Sequence, residues 1–183
     1  MVSKSLSTLI DEAILPALLL ILAKFGGVVI VTLIIGSSWQ LKFSSALPFL
    51  PSVSYPNYQS YLVSNSYSNL LMYLVLVLGC SFVLVKAHFF HSSHISPTLH
   101  ARLANLRLSS LVSDTFSLYH QGTIWLLFLW LATVLILIQA FLELSYAWIA
   151  IVSFLITLNF SWFFLVDIEQ EIEIWRKERQ RKI

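Results

Sequence analysis

Four long apolar segments, almost free of charged residues, set the strongest limit on how this chain can fold. They cover residues 14–36, 69–85, 123–142 and 145–166, and Lys24 is the one charged residue inside them. A helix needs about 20 predominantly apolar residues to cross a hydrocarbon layer of about 30 Å. The sequence therefore predicts four membrane-spanning helices.

The composition excludes a water-soluble fold. Of the 183 residues, 11% are charged and 58% are hydrophobic, and the mean hydropathy is +0.82, whereas a soluble domain carries about 25% charged residues. A net charge of +2 does not favour a polyanion, so we expect no nucleic acid partner. We predict an all-α integral membrane four-helix bundle, in which residues 1–183 form a single transmembrane domain within a lipid bilayer.

The basic residues predict the orientation of the bundle. With four spans, both termini and the segment between the second and third spans lie on one side of the membrane. These segments hold nine lysines and arginines, against Lys42 alone in the opposite loops, and such an excess is typical of cytoplasmic segments. The nine are Lys4, Lys86, Arg102, Arg107, Arg176, Lys177, Arg179, Arg181 and Lys182. We expect both termini in the cytoplasm, at a plasma (inner) membrane or an organelle membrane.

The connecting segments differ in character. The outer loop of residues 37–68 contains Pro48, Pro51 and Pro56, which disfavour regular helix. It is either a solvated loop over the bundle or an element that binds a partner or caps a pore. Residues 97–119 have an amphipathic pattern, which predicts a helix on the inner membrane surface or, alternatively, one docked on a cytoplasmic partner. Residues 141–145 leave room only for a tight turn, so the last two spans are antiparallel neighbours.

Residues 167–183 are predicted to extend the fourth helix into the cytoplasm, since neither Gly nor Pro interrupts them. Acidic residues come first and basic residues last, which suits the helix dipole. Ile168, Ile172 and Trp175 recur at helical spacing and form a stripe on which another subunit could dock. The alternative is a solvated helix end held by its own ion pairs.

Lys24 conflicts with an apolar span, because a lysine at the centre of a span costs about 2.5 to 3.5 kcal/mol on insertion scales. In one interpretation its side chain extends to the cytoplasmic headgroups. In the other it makes a polar contact within the bundle or with a subunit, and its partner is a neutral residue such as Asn159 or belongs to another chain. Gln139 and Asn159 are predicted to form hydrogen bonds between helices.

Three histidines, His88, His91 and His94, follow one another at helical spacing. Imidazole is the commonest metal-binding side chain, so a metal or haem site is one interpretation. Asp114 is the only acidic residue in that segment, and a specific metal site needs more ligands than this. We expect ordinary histidines at the membrane boundary and no cofactor. The single Cys80 excludes an intramolecular disulfide.

No catalytic motif is present, since the sequence has no HExxH, GxSxG or Gly-rich phosphate loop. We therefore expect a non-enzymatic protein that acts as a subunit or scaffold of a larger membrane complex. The first alternative is a homo-oligomeric channel or transporter, in which Lys24 and other polar residues of several copies line a path. A small metal- or haem-handling membrane protein is the third hypothesis.

Overall fold

The computed structural model describes residues 2–36, 40–43, 51–89, 105 and 115–180 of the chain. In this part four long helices account for most residues, and two short strands pair as a hairpin between the first two helices. In chain order the elements are α1 (Val2–Ile35), β1 (Gln40–Phe43), β2 (Pro51–Ser54), α2 (Tyr58–Phe89), α3 (Thr115–Phe141) and α4 (Ala147–Gln180).

All four of these helices are long and apolar enough to cross a membrane, which confirms the prediction of four spans. The qualifying segments are Ile10–Ile35, Tyr58–His88, Ser117–Phe141 and Ala147–Ile174. Many large apolar side chains on them are exposed, among them Leu78, Leu127 and Phe163. Apolar surface of this extent is a liability in water and is suited to lipid.

Three helices begin earlier than the apolar segments do. α1 begins at Val2 rather than at residue 14, α2 at Tyr58 rather than at 69, and α3 at Thr115 rather than at 123. Hydropathy marks the part of a helix that suits lipid, whereas backbone hydrogen bonding continues into polar sequence until something ends it. The apolar segments therefore predicted the spans but not the full helices.

The predicted outer loop of residues 37–68 requires correction for this reason. Residues 58–68 belong to α2, and Gln40–Phe43 pairs antiparallel with Pro51–Ser54. The last of the three prolines, Pro56, precedes α2 by two residues and does not disturb it. Asn57 Oδ1 accepts a hydrogen bond from Ser60 N at 2.7 Å, which caps the first turn of α2.

The predicted surface helix of residues 97–119 is described only in part. Residues 115–119 belong to α3 and continue directly into the span, and Asn105 is helical. The other residues of this predicted helix lie outside the described part of the chain, so the prediction stands as made for them.

A turn of residues 142–146 joins α3 to α4. Leu142 N donates to Ile138 O at 3.0 Å and Leu144 N donates to Gln139 O at 2.8 Å. Glu143 has a φ of 61°, the left-handed conformation that often ends a helix. These bonds close the end of α3 and reverse the chain direction.

Along the helix axes, the α3–α4 turn stops short of the C-terminal end of α1 and the N-terminal end of α2. Asn65 Nδ2 donates to Leu144 O at 2.6 Å, and Tyr146 N donates to Ser66 Oγ at 3.0 Å, so the turn is level with residues 65–66 of α2. α2 begins seven positions earlier at Tyr58, which is ~11 Å at the rise of an α-helix. The first two helices therefore extend beyond the α3–α4 turn.

Successive helices pack antiparallel, and glycine residues lie where they approach most closely. A Cβ atom added at Gly27 of α1 would lie 3.1 Å from Ser68 Cα of α2, and one added at Gly79 of α2 would lie 1.9 Å from Trp125 Cζ3 of α3. Small residues permit such close contact between membrane helices. The buried core beside these contacts consists of apolar side chains from α2, α3 and α4, including Leu76, Leu129, Ile136 and Ile149.

Candidate functional site

The ammonium group of Lys24 lies at the centre of a polar cluster between α1 and α2. Its Nζ atom donates to Asn65 Oδ1 and Ser68 Oγ at 2.8 Å each, to Asn69 Oδ1 at 2.5 Å, and to Asn65 O at 3.3 Å. All four acceptors are neutral oxygen atoms of α2. Close packing at Gly27, one turn further along α1, holds the two helices near enough for these contacts.

The two asparagines pass this network on to α3. Asn65 Nδ2 and Asn69 Nδ2 both donate to Gln139 Oε1, at 2.8 and 2.7 Å. Each amide therefore uses its oxygen for the lysine and its nitrogen for the glutamine, which fixes the orientation of both amides. We call this group of five residues the lysine cluster: Lys24, Asn65, Ser68, Asn69 and Gln139.

The lysine cluster continues into a second group of hydroxyl contacts on the side of the strand hairpin. Ser64 Oγ lies 3.1 Å from Thr32 Oγ1 of α1 and 2.6 Å from Tyr55 Oη. Tyr58 Oη donates to the backbone oxygen of Glu143 in the α3–α4 turn. This end of the molecule is therefore held by polar contacts among α1, α2 and the turn.

A second polar region lies at the opposite ends of the helices. Asp167 of α4 accepts from Tyr119 Oη of α3 at 2.9 Å, and its Oδ1 lies 2.9 Å from His88 Nδ1 of α2. Glu12 of α1 lies near two side chains of α3, with Oε2 at 3.6 Å from His120 Nε2 and Oε1 accepting from Gln121 Nε2 at 3.4 Å. We call this group the carboxylate layer: Glu12, His88, Tyr119, His120, Gln121 and Asp167.

The two polar regions are well separated along the helices. Gln139 and Tyr119 are 20 positions apart along α3, which corresponds to ~30 Å of helix. Asn69 and His88 are 19 positions apart along α2, or ~28 Å, whereas Glu12 and Lys24 are 12 positions apart along α1, or ~18 Å. The apolar layer of a bilayer is about 30 Å thick, which matches the separation along α2 and α3.

Between these regions a few buried hydroxyl groups connect α2, α3 and α4. Tyr73 Oη donates to Ser153 O at 2.7 Å and lies 2.8 Å from Thr157 Oγ1, which in turn lies 2.7 Å from Thr133 Oγ1. Trp130 Nε1 donates to Ser161 Oγ at 3.0 Å. No ionisable carboxylate, imidazole or ammonium group takes part in these contacts, so they serve as hydrogen bonds between helices.

A cavity of about 330 Å³ lies between α2 and α4 next to the carboxylate layer. Its walls are mainly apolar, with Leu84 and Val85 on α2 and Phe160 and Phe163 on α4, and the His88–Asp167 pair lies at one end. Two of its wall residues, Val85 and Phe163, are exposed, so the cavity is open rather than enclosed.

The structure brings together only some of the residues predicted from the sequence. Lys24 and Gln139 belong to the same cluster, whereas Asn159 is exposed and donates to Leu155 O of its own helix at 2.8 Å. The neutral partners of Lys24 therefore come from α2 rather than from Asn159. Its ammonium group points to residues near the α3–α4 turn, so the polar contact, and not extension to the opposite headgroups, is the arrangement in this structure.

The predicted histidine site is described only at its first residue. His88 lies in the carboxylate layer, while His91 and His94 are outside the described part of the chain. Among residues that are described, no group of three or more histidine, cysteine or acidic side chains is placed to hold a metal ion.

The predicted docking stripe on α4 is partly exposed. Ile168 is half-buried and Ile172 is 56% exposed, and the side chain of Trp175 lies outside the described part of the chain.

Asn65, Ser68 and Asn69 are not predicted from the sequence as partners of Lys24, because residues 65 and 68 fall in the predicted outer loop and Asn69 stands at the first position of the predicted second span. Ser68 and Asn69 follow Asn65 by three and four residues, which places all three on one helix face. This spacing is the signal that could have found them.

Comparisons with protein-family models, with curated proteins and with solved structures find no match to this chain. Its function must therefore be inferred from the geometry of the chain itself.

Proposed function

We propose that this chain is an integral membrane four-helix bundle that acts, without catalysis, as a subunit or scaffold of a larger membrane protein complex. The observation that carries the proposal is that Lys24, the one charged residue in the four apolar segments, is bonded to neutral groups of its own chain. A residue used for transport or catalysis has to face a path or a substrate. Lys24 instead ties α1 to α2 and, through two asparagines, to α3.

The division of the chain beyond the two polar regions into separate pieces of about 30 residues or fewer supports the same proposal. In the described part, the extensions are the ends of α1 and α2 with the strand hairpin on one side, and the ends of α1 and α4 on the other. Such extensions suit contact with neighbouring proteins better than they suit enclosure of a substrate. The exposed Ile172, beyond Asp167 on α4, offers one such contact.

The orientation is part of the proposal. The carboxylate layer adjoins the segments that hold nine of the basic residues, so we place this layer and both termini on the cytoplasmic side. The lysine cluster and the strand hairpin then lie on the opposite side. A plasma (inner) membrane is the location we propose, and the partners are other membrane subunits, with nucleic acid playing no part.

The test is the mass and composition of the native particle after extraction in mild detergent. We expect a particle heavier than the single 20.9 kDa chain, with at least one different polypeptide in constant proportion. A stable monomer with nothing attached contradicts the proposal.

The channel hypothesis makes a different prediction for the same particle. A ring of identical copies that conducts ions in liposomes, with conductance altered by Lys24→Leu and unchanged by Asn159→Leu, would replace our proposal. Asn159→Leu is the appropriate control because Asn159 is exposed and bonds only within its own helix in the described contacts.

A further inference from the structure

The end of α4 extends well beyond the carboxylate layer. The helix is unbroken from Ala147 to Gln180 and passes the layer at Asp167. The remaining 13 positions correspond to ~20 Å of helix. This end of α4, from Ile168 to Gln180, therefore lies in water if the layer marks the membrane boundary.

The charges along this end change sign with distance from the layer. The exposed acidic residues Glu169 and Glu173 come first, and the exposed basic residues Arg176 and Lys177 follow. The sequence adds three further basic residues after these, Arg179, Arg181 and Lys182, and one acidic residue among them, Glu178. Ile172, which is 56% exposed, provides an apolar contact between Glu169 and Glu173, one turn before Arg176.

The lipids of the same membrane are an unfavourable partner for the basic group. Arg176 is nine positions beyond Asp167, or ~14 Å of helix, and the exposed Glu169 and Glu173 lie between it and the headgroups. This order is the reverse of that in a lipid-binding polybasic segment, whose basic residues lie next to the membrane.

A second copy of this chain is the competing partner, and the coupling experiment below distinguishes it from a different protein. Copies inserted in the same membrane with the same orientation present these helix ends in parallel, where charges that flank the contact of one helix meet those of the other. Lys177 Nζ lies 3.5 Å from Glu173 Oε1 of its own helix, and such an exposed pair contributes little to stability.

We propose that the end of α4 binds an acidic, amphipathic segment of a different protein. This inference rests on the proposed function and names the kind of partner. The partner presents carboxylates to Arg176 and Lys177 and an apolar side chain to Ile172, at ~8 to 15 Å from the carboxylate layer. Charge complementarity fixes the register of the pair, and the apolar contact adds buried area.

Carbodiimide coupling tests the proposal, because this reagent joins an amine directly to a carboxylate that already contacts it. The full-length protein is treated in its native membranes, and peptides containing Lys177 are identified by mass spectrometry. We expect Lys177 joined to an aspartate or glutamate of one different chain. The internal Glu173–Lys177 product serves as the measure of successful activation.

Three variants make the result specific. Lys177→Arg should abolish coupling to the partner while leaving the particle mass unchanged, since the charge remains and the amine is lost. Arg176→Glu combined with Lys177→Glu should lower the amount of bound partner about tenfold, as expected when two rim attractions become repulsions. Glu169→Lys, a charge reversal on the same helix end, should leave the amount of partner unchanged or raise it.

The following outcomes overturn the proposal. Coupling of Lys177 to a carboxylate of a second copy, or only the internal product in a particle that does contain another chain, rejects an acidic partner but spares the proposed function. A particle with no other chain rejects both. The proposal also fails if Arg176→Glu with Lys177→Glu removes binding of proteoliposomes to phosphatidylserine vesicles and leaves the particle mass unchanged, since the partner is then an apposed anionic membrane.

Discussion

In the lysine cluster one ammonium group is surrounded by neutral oxygen atoms, whereas in the carboxylate layer two carboxylates contact hydroxyl, amide and imidazole groups of other helices. The cluster draws its four acceptors from a single helix, α2. The layer takes its contacts from all four helices. Both regions therefore provide polar partners for ionisable groups beside apolar helix surface. The cluster does so with hydrogen bonds from one helix, and the layer does so with contacts from four helices.

This difference predicts which kinds of change should reduce the stability that each region provides. A lysine without an opposite charge depends on the number and position of its hydrogen bonds, because these replace its hydration. Groups that contact across exposed helix ends depend more on charge and are screened by salt. The cluster should therefore respond to changes of shape, and the layer to changes of charge and of ionic strength.

The largest effect is expected from Asn69→Leu. Asn69 is buried, accepts from Lys24 and donates to Gln139, so its loss removes one bond to the charged group and one of the two bonds that Gln139 Oε1 accepts. We expect the free energy of unfolding to fall by about 3 kcal/mol. The measurement is equilibrium unfolding by dodecyl sulfate in mixed micelles.

Asn159→Leu is the matched control for this change. It makes the same substitution on an exposed asparagine that bonds to its own helix, and we expect a change below about 0.5 kcal/mol. Equal losses from the two substitutions would mean that the lysine cluster adds nothing beyond an ordinary intramembrane amide.

Two glycine substitutions between the polar regions measure how much apolar helix packing alone contributes to the free energy of unfolding. In Gly79→Ala the added Cβ overlaps the Trp125 ring, so α2 and α3 must separate, and we expect a loss of about 2 kcal/mol. Gly26→Ala adds the same atom where no other group lies within 4 Å, and it should stabilise α1 by up to about 1 kcal/mol. If Gly79→Ala were neutral in the same unfolding assay, the close contact of α2 with α3 would be disproved.

The geometry of the lysine cluster is tested by Lys24→Arg. A planar guanidinium group is larger than the ammonium and cannot point its five donors at four oxygens arranged around one atom, so we expect a loss of about 1.5 kcal/mol. Lys177→Arg at an exposed position should be neutral within about 0.5 kcal/mol. A stable Lys24→Arg protein would show that charge alone, and not the hydrogen-bond geometry, is required here.

Asp167→Asn should have a smaller effect, but one that depends on salt. The amide keeps the shape of the carboxylate and removes the charge that His88 and Tyr119 contact, so we expect a loss of about 1 kcal/mol at low salt. Unfolding should be measured at ~0.1 M and ~1 M salt, where screening differs about threefold in length. The loss should shrink at high salt for Asp167→Asn and stay constant for Asn69→Leu; the opposite pattern would reverse the comparison.

The spans of this fold could be predicted from the sequence because length and hydropathy alone determine them. Lys24 was recognisable for the same reason, as a cation in an apolar segment. Its partners were not, because the first turns of α2 are rich in serine, asparagine and tyrosine and lack the hydropathy of a span. The composition of a polar helix turn resembles that of a polar loop, so the sequence alone does not distinguish them.

Asn159 illustrates the opposite limit. An amide within an apolar segment predicts a hydrogen bond between helices, yet its Nδ2 bonds to Leu155 O one turn earlier in α4. Gln139 has a similar sequence environment but lies two residues before the end of α3, where two asparagines of α2 are within reach. Which of the two amides joins the network depends on helix rotation, which a weakly amphipathic sequence does not specify.

The unequal reach of the helix pairs bears on how the surrounding lipids arrange themselves. Leu33 and Ile34 near the end of α1 are 69% and 80% exposed, at a level beyond the α3–α4 turn where Phe141 is 87% exposed. A bilayer thick enough to cover the end of α1 is too thick for α3 and α4, and such mismatch is relieved by tilting or by local thinning. We therefore expect the protein to tilt in a flat membrane or to thin the lipids beside α3 and α4.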